Sequence, residues 1–347
     1  MNKKVMVMVG APASGKSTYA KEFASKNPNT KIISSDEYRI KMFGSLKEGN
    51  SKENNGKVFS KMFEDLRKEL KDSDTEYIIY DATNTSRKRR RALYRNIKAW
   101  NPDAKVEITY FSFAYVTLMF RNIKRAVNHT DVEKHVPFGV MRRMYAQLQV
   151  PRVGSDCDSF TVVGEPMFDS ESFLEQTCNG GTDMLRKLVD SASIDMEPEI
   201  RSVYAPHDCE PHHLESIDEH IAMCIDSSLE RYEYSKDDKS LILISLFHDL
   251  GKSFTKEMIE KNGVEKAIYR GHADVSANYL LNFVWFDSQM DIEKYMDATE
   301  AVHQHMNQHQ GISEKNIRNN NLNANILAIC KNFGVIDSNA RIKGEIE

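Results

Sequence analysis

The sequence predicts an α/β domain, a parallel sheet with helices on both faces, followed by an all-α domain. Three observations carry this. Through about residue 150, short apolar runs alternate with helix-like stretches, as a parallel sheet covered on both faces requires. Residues 151–199 lose that rhythm and are punctuated by Gly154, Gly164, Pro166, Asn179-Gly180-Gly181 and Pro198. From about residue 200, long periodic stretches dominate and strand signals are few. The chain has 347 residues, room for roughly two domains, and the expected division is 1–150, a connector over 151–199, and 200–347.

Each element has its own signal. Residues 5–9, Val-Met-Val-Met-Val, form a continuous apolar run, the pattern of a strand buried on both faces. Shorter runs at 31–34, 77–80 and 106–111 predict three more strands. Between them, residues 17–25, 57–71 and 87–100 read as helices. A further strand is expected at 159–163, inside the connector. In the second half, residues 214–232, 238–250, 272–286, 292–305 and 324–333 predict helices.

The apolar fraction is 40% and the charged fraction 28%, ordinary for a globular chain. Lysine plus arginine number 47 and aspartate plus glutamate 51, a net charge of −4. That balance argues against a uniformly basic nucleic-acid coat or a basic membrane-surface protein, and leaves room for a local basic site. No apolar run approaches the roughly 18 residues of a membrane span, so no membrane partner is expected. The N-terminus has two lysines and an apolar stretch, but a glycine-rich turn follows where a signal peptide would carry its cleavage site. The five cysteines, Cys157, Cys178, Cys209, Cys224 and Cys330, form no CxxC pair. This points to a reduced, cytoplasmic protein whose cysteines are buried or incidental.

Gly10-Ala11-Pro12-Ala13-Ser14-Gly15-Lys16-Ser17 fits G-x-x-x-x-G-K-[ST] without a mismatch, between a predicted strand and a predicted helix. Such a loop wraps its backbone N–H groups around phosphate at the positive end of a helix dipole. Gly10, Ser14, Gly15, Lys16, Ser17 and Thr18 are therefore candidate nucleotide-binding residues, with ATP and Mg²⁺ as the expected ligands. Lys16 would reach the β- and γ-phosphates, and Ser17 would offer its hydroxyl to Mg²⁺. The second strand leads into Asp36-Glu37-Tyr38-Arg39, at the carboxyl edge where ligands bind. Asp36 there suits a general base and Arg39 an acceptor phosphate, although Asp36 also reads as a helix N-cap. Asp81 ends the third strand, where a carboxylate orders the Lys16–Ser17–Mg²⁺ group. Arg87, Lys88, Arg89, Arg90 and Arg91 follow, able to attract a polyanion or to form a solvated helix face. Arg121 and Arg125 share one helical face at i, i+4, and with Arg142 and Arg143 are candidate cations around a moving phosphate.

These blocks, together with Arg121-Asn122-Ile123-Lys124-Arg125 and Val136-Pro137 with Arg142-Arg143-Met144-Tyr145, resemble in order the 5′-kinase domain of T-even phage polynucleotide kinases. The resemblance spans nearly all of residues 1–150. It implies Asp36 as general base for a 5′-hydroxyl, Arg39 as a contact to the acceptor's phosphate and Arg125 as a clamp on the donor phosphates. The phosphatase domain of those enzymes carries D-x-D-G-T. The near match Asp156-Cys157-Asp158-Ser159-Phe160 lacks the Gly-Thr, so end trimming must come from elsewhere.

His-Asp occurs twice. His248-Asp249 closes the apolar run 241–247, and adjacent ionisable groups at the end of a buried helix need partners such as a divalent metal. Lys252 follows, a cation for any bound phosphate. His207-Asp208 lies in a Pro-flanked polar loop, where solvated side chains are expected. His220, His272, His305 and Asp337 are further candidate ligands, with His303 competing with His305. Imidazoles with a shared carboxylate suit Mn, Fe, Co, Ni or Zn. The order His…His-Asp…His…His…Asp resembles the HD phosphohydrolase superfamily over roughly residues 207–341. It implies His220, His248, Asp249 and Asp337 as core ligands, His272 and His305 as completing a second metal site, and His213 as a substrate contact. His309 reads as incidental.

The two resemblances together imply an α/β P-loop kinase domain followed by an all-α HD domain. The expected function is healing of RNA or DNA strand ends: ATP-dependent phosphorylation of 5′-hydroxyls, with removal of 3′-phosphates or 2′,3′-cyclic phosphates. Such ends are what a ligase joins, so functional coupling to a ligase is implied, in the cytoplasm, or the host cytoplasm if the source is a phage. A nucleoside or sugar kinase with an attached HD nucleotidase, and a kinase with a catalytically dead HD binding module, are the alternatives.

Overall fold

The computed structural model describes residues 3–72, 74–127, 132–169, 173, 178–208, 214–232, 239–261, 263–285, 291–308 and 311–342. The chain divides into two compact units, Met1–Glu165 and Pro166–Glu347.

The first unit runs β1 (Lys4–Val9), α1 (Lys16–Lys26), β2 (Thr30–Ser34), α2 (Ser35–Phe43), α3 (Leu46–Gly49), α4 (Asn55–Asp72), β3 (Tyr77–Asp81), α5 (Arg87–Trp100), β4 (Lys105–Ser112), α6 (Tyr115–Val127), α7 (Phe138–Ala146) and β5 (Ser159–Gly164). The strands form one sheet in the order β2-β3-β1-β4-β5, parallel throughout. β1 is central and buried from Val5 to Val9, which requires cover on both faces and accounts for its unbroken apolar run. The chain leaves β1 toward β2 and leaves β3 toward β4. The strand order therefore reverses between β1 and β3, and the crevice at their carboxyl ends is where such sheets bind ligands. α4 earns its place through Val58, Met62, Leu66 and Leu70, a buried stripe at four-residue spacing.

The expected connector does not stand apart from the units. Residues 151–165 belong to the first, where β5 adds the edge strand to the sheet beside β4. The amide of Asp158 donates to the Val106 carbonyl and its carboxylate accepts from the Val106 amide, both at 2.8 Å, which sets that register. The same segment claims part of the basic run, and here expectation is corrected: Arg87 and Arg90 are neither solvated nor available to a polyanion. Arg90 is buried on the stripe it shares with Leu93 and Ile97, with Nε 2.7 Å from Asp156 Oδ2. Its remaining N–H groups donate to the carbonyls of Asn84, Thr85 and Gln149 at 2.8, 2.9 and 2.8 Å. Arg87 donates to the Val150 carbonyl at 2.7 Å. The D-x-D pair is accounted for by this packing, Asp156 on Arg90 at 2.7 Å and Asp158 on Tyr94 and Lys98, both at 2.8 Å.

The second unit runs α8 (Gly181–Asp190), α9 (Glu197–Ile200), α10 (Ile217–Tyr232), α11 (Ser240–Phe247), α12 (Lys252–Thr255), β6 (Lys256–Lys261), β7 (Val264–Tyr269), α13 (His272–Trp285), α14 (Ile292–Gln308), α15 (Glu314–Asn320) and α16 (Ala324–Asn339). α11 is apolar nearly all round and is packed by α10, α13, α14 and α16, which explains why its sequence has no polar face. Ser245, fully buried within it, pairs with Ser228 of α10 at 2.7 Å. The helical region also carries an antiparallel hairpin, β6 with β7. The dipeptide Asn262-Gly263 is a hairpin signal, and Gly263 sits at φ +77°, where only glycine is unstrained. Among the described residues, no helix is long and apolar enough to cross a membrane.

The buried Arg90–Asp156 pair predicts a sharp contrast within one basic run. Arg90→Ala should cost about 3–5 kcal/mol by stranding a buried carboxylate, while exposed Arg89→Ala should stay within about 0.5 kcal/mol. Urea unfolding of the two variants measures both.

Candidate phosphate cradle and metal centre

The loop after β1 holds the phosphate-binding candidates. Gly10 ends at the sheet edge against β4, where a Cβ would stand 2.8 Å from both Phe111 Cβ and Ser14 Oγ. The loop cannot wrap this tightly with any side chain there. Ser14 and Gly15 complete the turn, and Lys16, Ser17 and Thr18 open α1, directing its first N–H groups into the crevice. Lys16 curls back over the loop, donating to the carbonyls of Gly10 and Ala11 at 3.0 and 2.8 Å and to Ser14 Oγ at 3.2 Å. Its ammonium falls from its ordinary range to about 8: burial lowers it most, Asp81 and Asp36 oppose that, and Arg125 adds to the lowering.

Ser17 Oγ donates to Asp81 Oδ2 at 2.7 Å, and Ser34 Oγ stands 3.4 Å from the same oxygen. That is a hydroxyl and a carboxylate able to share one Mg²⁺. On α2, Arg39 Nη1 lies 2.8 Å from Asp36 Oδ1. The two differ in setting: the Asp36 side chain is 51% exposed and the Arg39 side chain 10%. Arg39 is held from behind by Asn55 Oδ1 at 3.0 Å and by the Phe59 ring. Asn55 and Phe59 were not read from the sequence, because their role depends on α4 crossing α2. Arg121 is drawn the other way, over the Phe113 ring at 4.2 Å and toward Glu165 at 3.3 Å. Asn122, fully buried, exchanges two hydrogen bonds with the Val136 backbone, at 2.7 and 3.0 Å, and so fixes α6 to the segment before α7.

In the second unit, the predicted histidines and aspartates converge. His220 comes from α10, His248 and Asp249 from the end of α11, His272 from the start of α13, His305 from α14 and Asp337 from α16, all buried. Two groups of ligand atoms result: His220, Cys224, His248 and Asp337, and Asp249, His272 and His305. His220 Nε2 lies 3.3 Å from His248 Nε2 and 3.2 Å from Asp337 Oδ1. His272 Nε2 lies 3.1 Å from His305 Nε2. Asp249 faces both groups. Its Oδ2 is 3.3 Å from His248 Nε2 and 3.7 Å from His220 Nε2, and its Oδ1 is 3.5 Å from His272 Nε2 and 3.7 Å from His305 Nε2.

The other side of each imidazole explains the convergence. The four Nδ1 atoms meet backbone carbonyls: His220 to Ala340 at 2.7 Å, His248 to Ser245 at 3.0 Å, His272 to Tyr269 at 2.7 Å and His305 to Val302 at 2.7 Å. Each Nε2 is thereby left as a lone-pair donor pointing inward, the tautomer a metal needs. Burial lowers His248, and takes His272 down to about 3, so both imidazoles stay neutral. Burial works to raise Asp249, but the Lys252 ammonium at 2.6 Å, with His248, holds it well below the carboxylate range. Neutral imidazoles beside an ionised carboxylate are the ligand forms of a divalent-metal site. The donor set therefore fits the group.

His303 stands outside both groups, 2.7 Å from Asp274, leaving the place to His305. His207 corrects an expectation. It is 1% exposed, because the hairpin folds over its loop: the Ala267 amide donates to the Asp208 carbonyl at 2.9 Å and Tyr269 Oη to the His207 carbonyl. His207 Nε2 accepts from Lys252 at 2.9 Å. Asp208 is the solvated member, paired with Lys256. His213 and His309 lie outside the described residues.

Comparison with known proteins agrees on both units. Residues 5–151 match the family described as an AAA domain, and residues 214–333 that described as an HD domain. The chain is similar to one in the Pnkp1/Rnl/Hen1 RNA repair complex, with 26% identity over 42% of this chain and 44% of that one, TM-score 0.35. It is also similar to a fungal RNA kinase, with 16% identity over 54% of this chain and 82% of the other, TM-score 0.34. A gluconokinase from Sinorhizobium meliloti 1021 shares 16% identity over 46% and 82%, TM-score 0.33.

The depressed Lys16 ammonium has a measurable consequence. A cation whose folded pKa lies below its unfolded one weakens the fold at neutral pH, and that penalty fades as pH rises past 8. Lys16→Met should raise nucleotide-free stability at pH 7 by at most about 3 kcal/mol, with the gain shrinking toward pH 10. Thermal melts across that range, paired with loss of nucleotide binding, test it.

Proposed function

We propose, for a chain that joins an AAA domain to an HD domain, that it heals nucleic-acid strand ends. The first unit phosphorylates 5′-hydroxyls with ATP, and the second removes 3′-phosphates or opens 2′,3′-cyclic phosphates. The observation that carries the kinase half is the Arg39–Asp36 pair at the mouth of the cradle. An accessible carboxylate beside an anchored guanidinium suits an acceptor that offers a hydroxyl and, one position away, a phosphate. A strand end has both, whereas a free nucleoside or sugar has only the hydroxyl.

Asp36 takes the proton as the 5′-oxygen attacks the γ-phosphorus of ATP, and ADP leaves in line. The loop N–H groups and Lys16 hold the β- and γ-phosphates. Ser17 and Asp81 hold Mg²⁺, and Arg125 supplies positive charge to the transferring phosphoryl group. Arg121, engaged by Glu165 and Phe113, has the lesser part.

In the second unit, His220, His248, Asp249 and Asp337 hold one divalent metal, and Asp249 with His272 and His305 the other; Mn, Fe, Co, Ni and Zn all suit these donors. Metals there supply Lewis acidity and neutralise a phosphate ester. Lys252, placed by His207 and Tyr269, adds a cation beside Asp249. Ends carrying a 5′-phosphate and a 3′-hydroxyl are ligase substrates, so a ligase is the partner this reading calls for.

A 5′-hydroxyl, 3′-phosphate oligonucleotide with ATP tests both halves at once, run beside free nucleosides. Asp36→Asn should lower kcat for 5′-phosphorylation by about 10²- to 10⁴-fold and leave 3′-phosphate release intact. Transfer to nucleosides but not to oligonucleotides overturns the kinase reading. For the second unit, His248→Ala combined with Asp249→Ala should abolish 3′-phosphate release and bound metal while sparing the kinase. Retained release in that double variant overturns the HD assignment.

A further inference from the structure

α5 carries its charge against its own dipole. It holds Arg87, Lys88, Arg89, Arg90, Arg91, Arg95 and Lys98 and no acidic residue. Five of these cations fill its first five positions, at the positive end of the helix, where carboxylates are favoured and cations are not. Arg87 and Arg90 are explained by the buried bonds described above. Lys88, Arg89 and Arg95 face solvent instead, and Arg91 is half-buried. Lys88, Arg91 and Arg95 fall at i, i+3 and i+7, one stripe along the outer face. Lys98 lies on the same stripe but is tied to Asp158 at 2.8 Å. Burial, Arg95 and Arg87 all lower the Arg91 guanidinium from its ordinary range, and only Asp156, already matched to Arg90, opposes them. Like charges therefore crowd here in the resting fold.

The stripe begins beside the phosphate cradle. The Thr83 carbonyl accepts from the Gly10 amide at 3.1 Å, and Asn84 Nδ2 donates to the Met8 carbonyl at 2.8 Å. The turn into α5 is thus tied to the loop that follows β1. Ser34 and Asp81 are register partners at the ends of β2 and β3. α2, with Asp36 and Arg39, and α5, with the stripe, therefore leave neighbouring strands at the same edge of the sheet.

We propose that the outer face of α5 is a track for the strand behind the end being phosphorylated, with Lys88, Arg91 and Arg95 neutralising backbone phosphates of a single-stranded polynucleotide. The stripe covers about 10 Å of helix axis, room for about three phosphates at roughly 3.4 Å each. Contacts of this kind carry charge and no base readout, so the track is indifferent to sequence. This inference rests on the strand-end reading above. It adds to that reading a second contact region, beyond the phosphate assigned to Arg39.

The test compares acceptor lengths. Kinase turnover of the full chain is measured on a 5′-hydroxyl dinucleotide and on a 5′-hydroxyl oligonucleotide of about twelve nucleotides, between about 50 and 200 mM salt. In the wild type, KM for the longer acceptor should be the lower one and should rise more steeply with salt. Lys88→Ala, Arg91→Ala and Arg95→Ala combined should flatten the slope of log KM against log salt by about 2, three phosphates at about 0.7 each. KM for the longer acceptor should rise toward that of the dinucleotide, with kcat and the KM values for ATP and the dinucleotide unchanged. The exposed pair Lys88→Ala and Arg95→Ala, taken singly, should each flatten the slope by about 0.7, which keeps the test decisive if the triple variant does not fold. Lys88→Arg, Arg91→Lys and Arg95→Lys combined should keep the wild-type slope, since charge and not packing is at issue. A slope unchanged by the alanine variants overturns the track and gives the stripe to an acidic protein face instead. An equal loss in the charge-keeping variant also overturns it. Phosphorylation of nucleosides but of neither longer acceptor overturns the strand-end reading itself, and the track with it.

Discussion

One carboxylate organises the second unit. Asp249 is buried and ionised among four imidazoles, and an isolated charge in that position would be prohibitively expensive. Everything around it is an answer to that problem. Lys252 supplies a counter-charge within hydrogen-bonding distance. Burial keeps His248 and His272 neutral, so they bring lone pairs without competing positive charge. The carbonyls that end α11 are met by the turn that follows, Ile244 and Ser245 by His248 and Phe247 by the Leu250 amide, so the helix can stop in the core.

The first unit solves the mirror-image problem. Lys16 is a cation kept in a dry loop, with carbonyls as its nearest partners. The depressed ammonium marks a site arranged for an absent negative charge rather than for the resting fold. The Gly10 contact with Phe111 ties that arrangement to the sheet, since the loop leans on β4 as well as following β1. Both units therefore store electrostatic cost at the place where chemistry is proposed, and the surrounding core carries it.

Much of this was legible in the chain. The phosphate loop could be read because its chemistry is local: two glycines five positions apart and a lysine, between a strand and a helix. The six His and Asp positions could be read because His248-Asp249 closes a buried apolar run and the order of the six resembles the HD superfamily. What stayed hidden depends on elements meeting. Arg87 and Arg90 look like solvated charge until residues 149–156 fold over them. His207 looks like loop until a hairpin, itself signalled by Asn262-Gly263, buries it.

The carbonyl acceptors behind the imidazoles divide the centre by chain distance. His248, His272 and His305 are each oriented by a carbonyl three residues earlier, so forming their own turns aims them. His220 is aimed by Ala340, 120 positions away, just beyond the helix that also brings Asp337. The turns of α13 and α14 therefore aim the His272–His305 pair by themselves, whereas the His220 group is complete only with α16 docked, so loosening that helix would reach one half of the centre before the other.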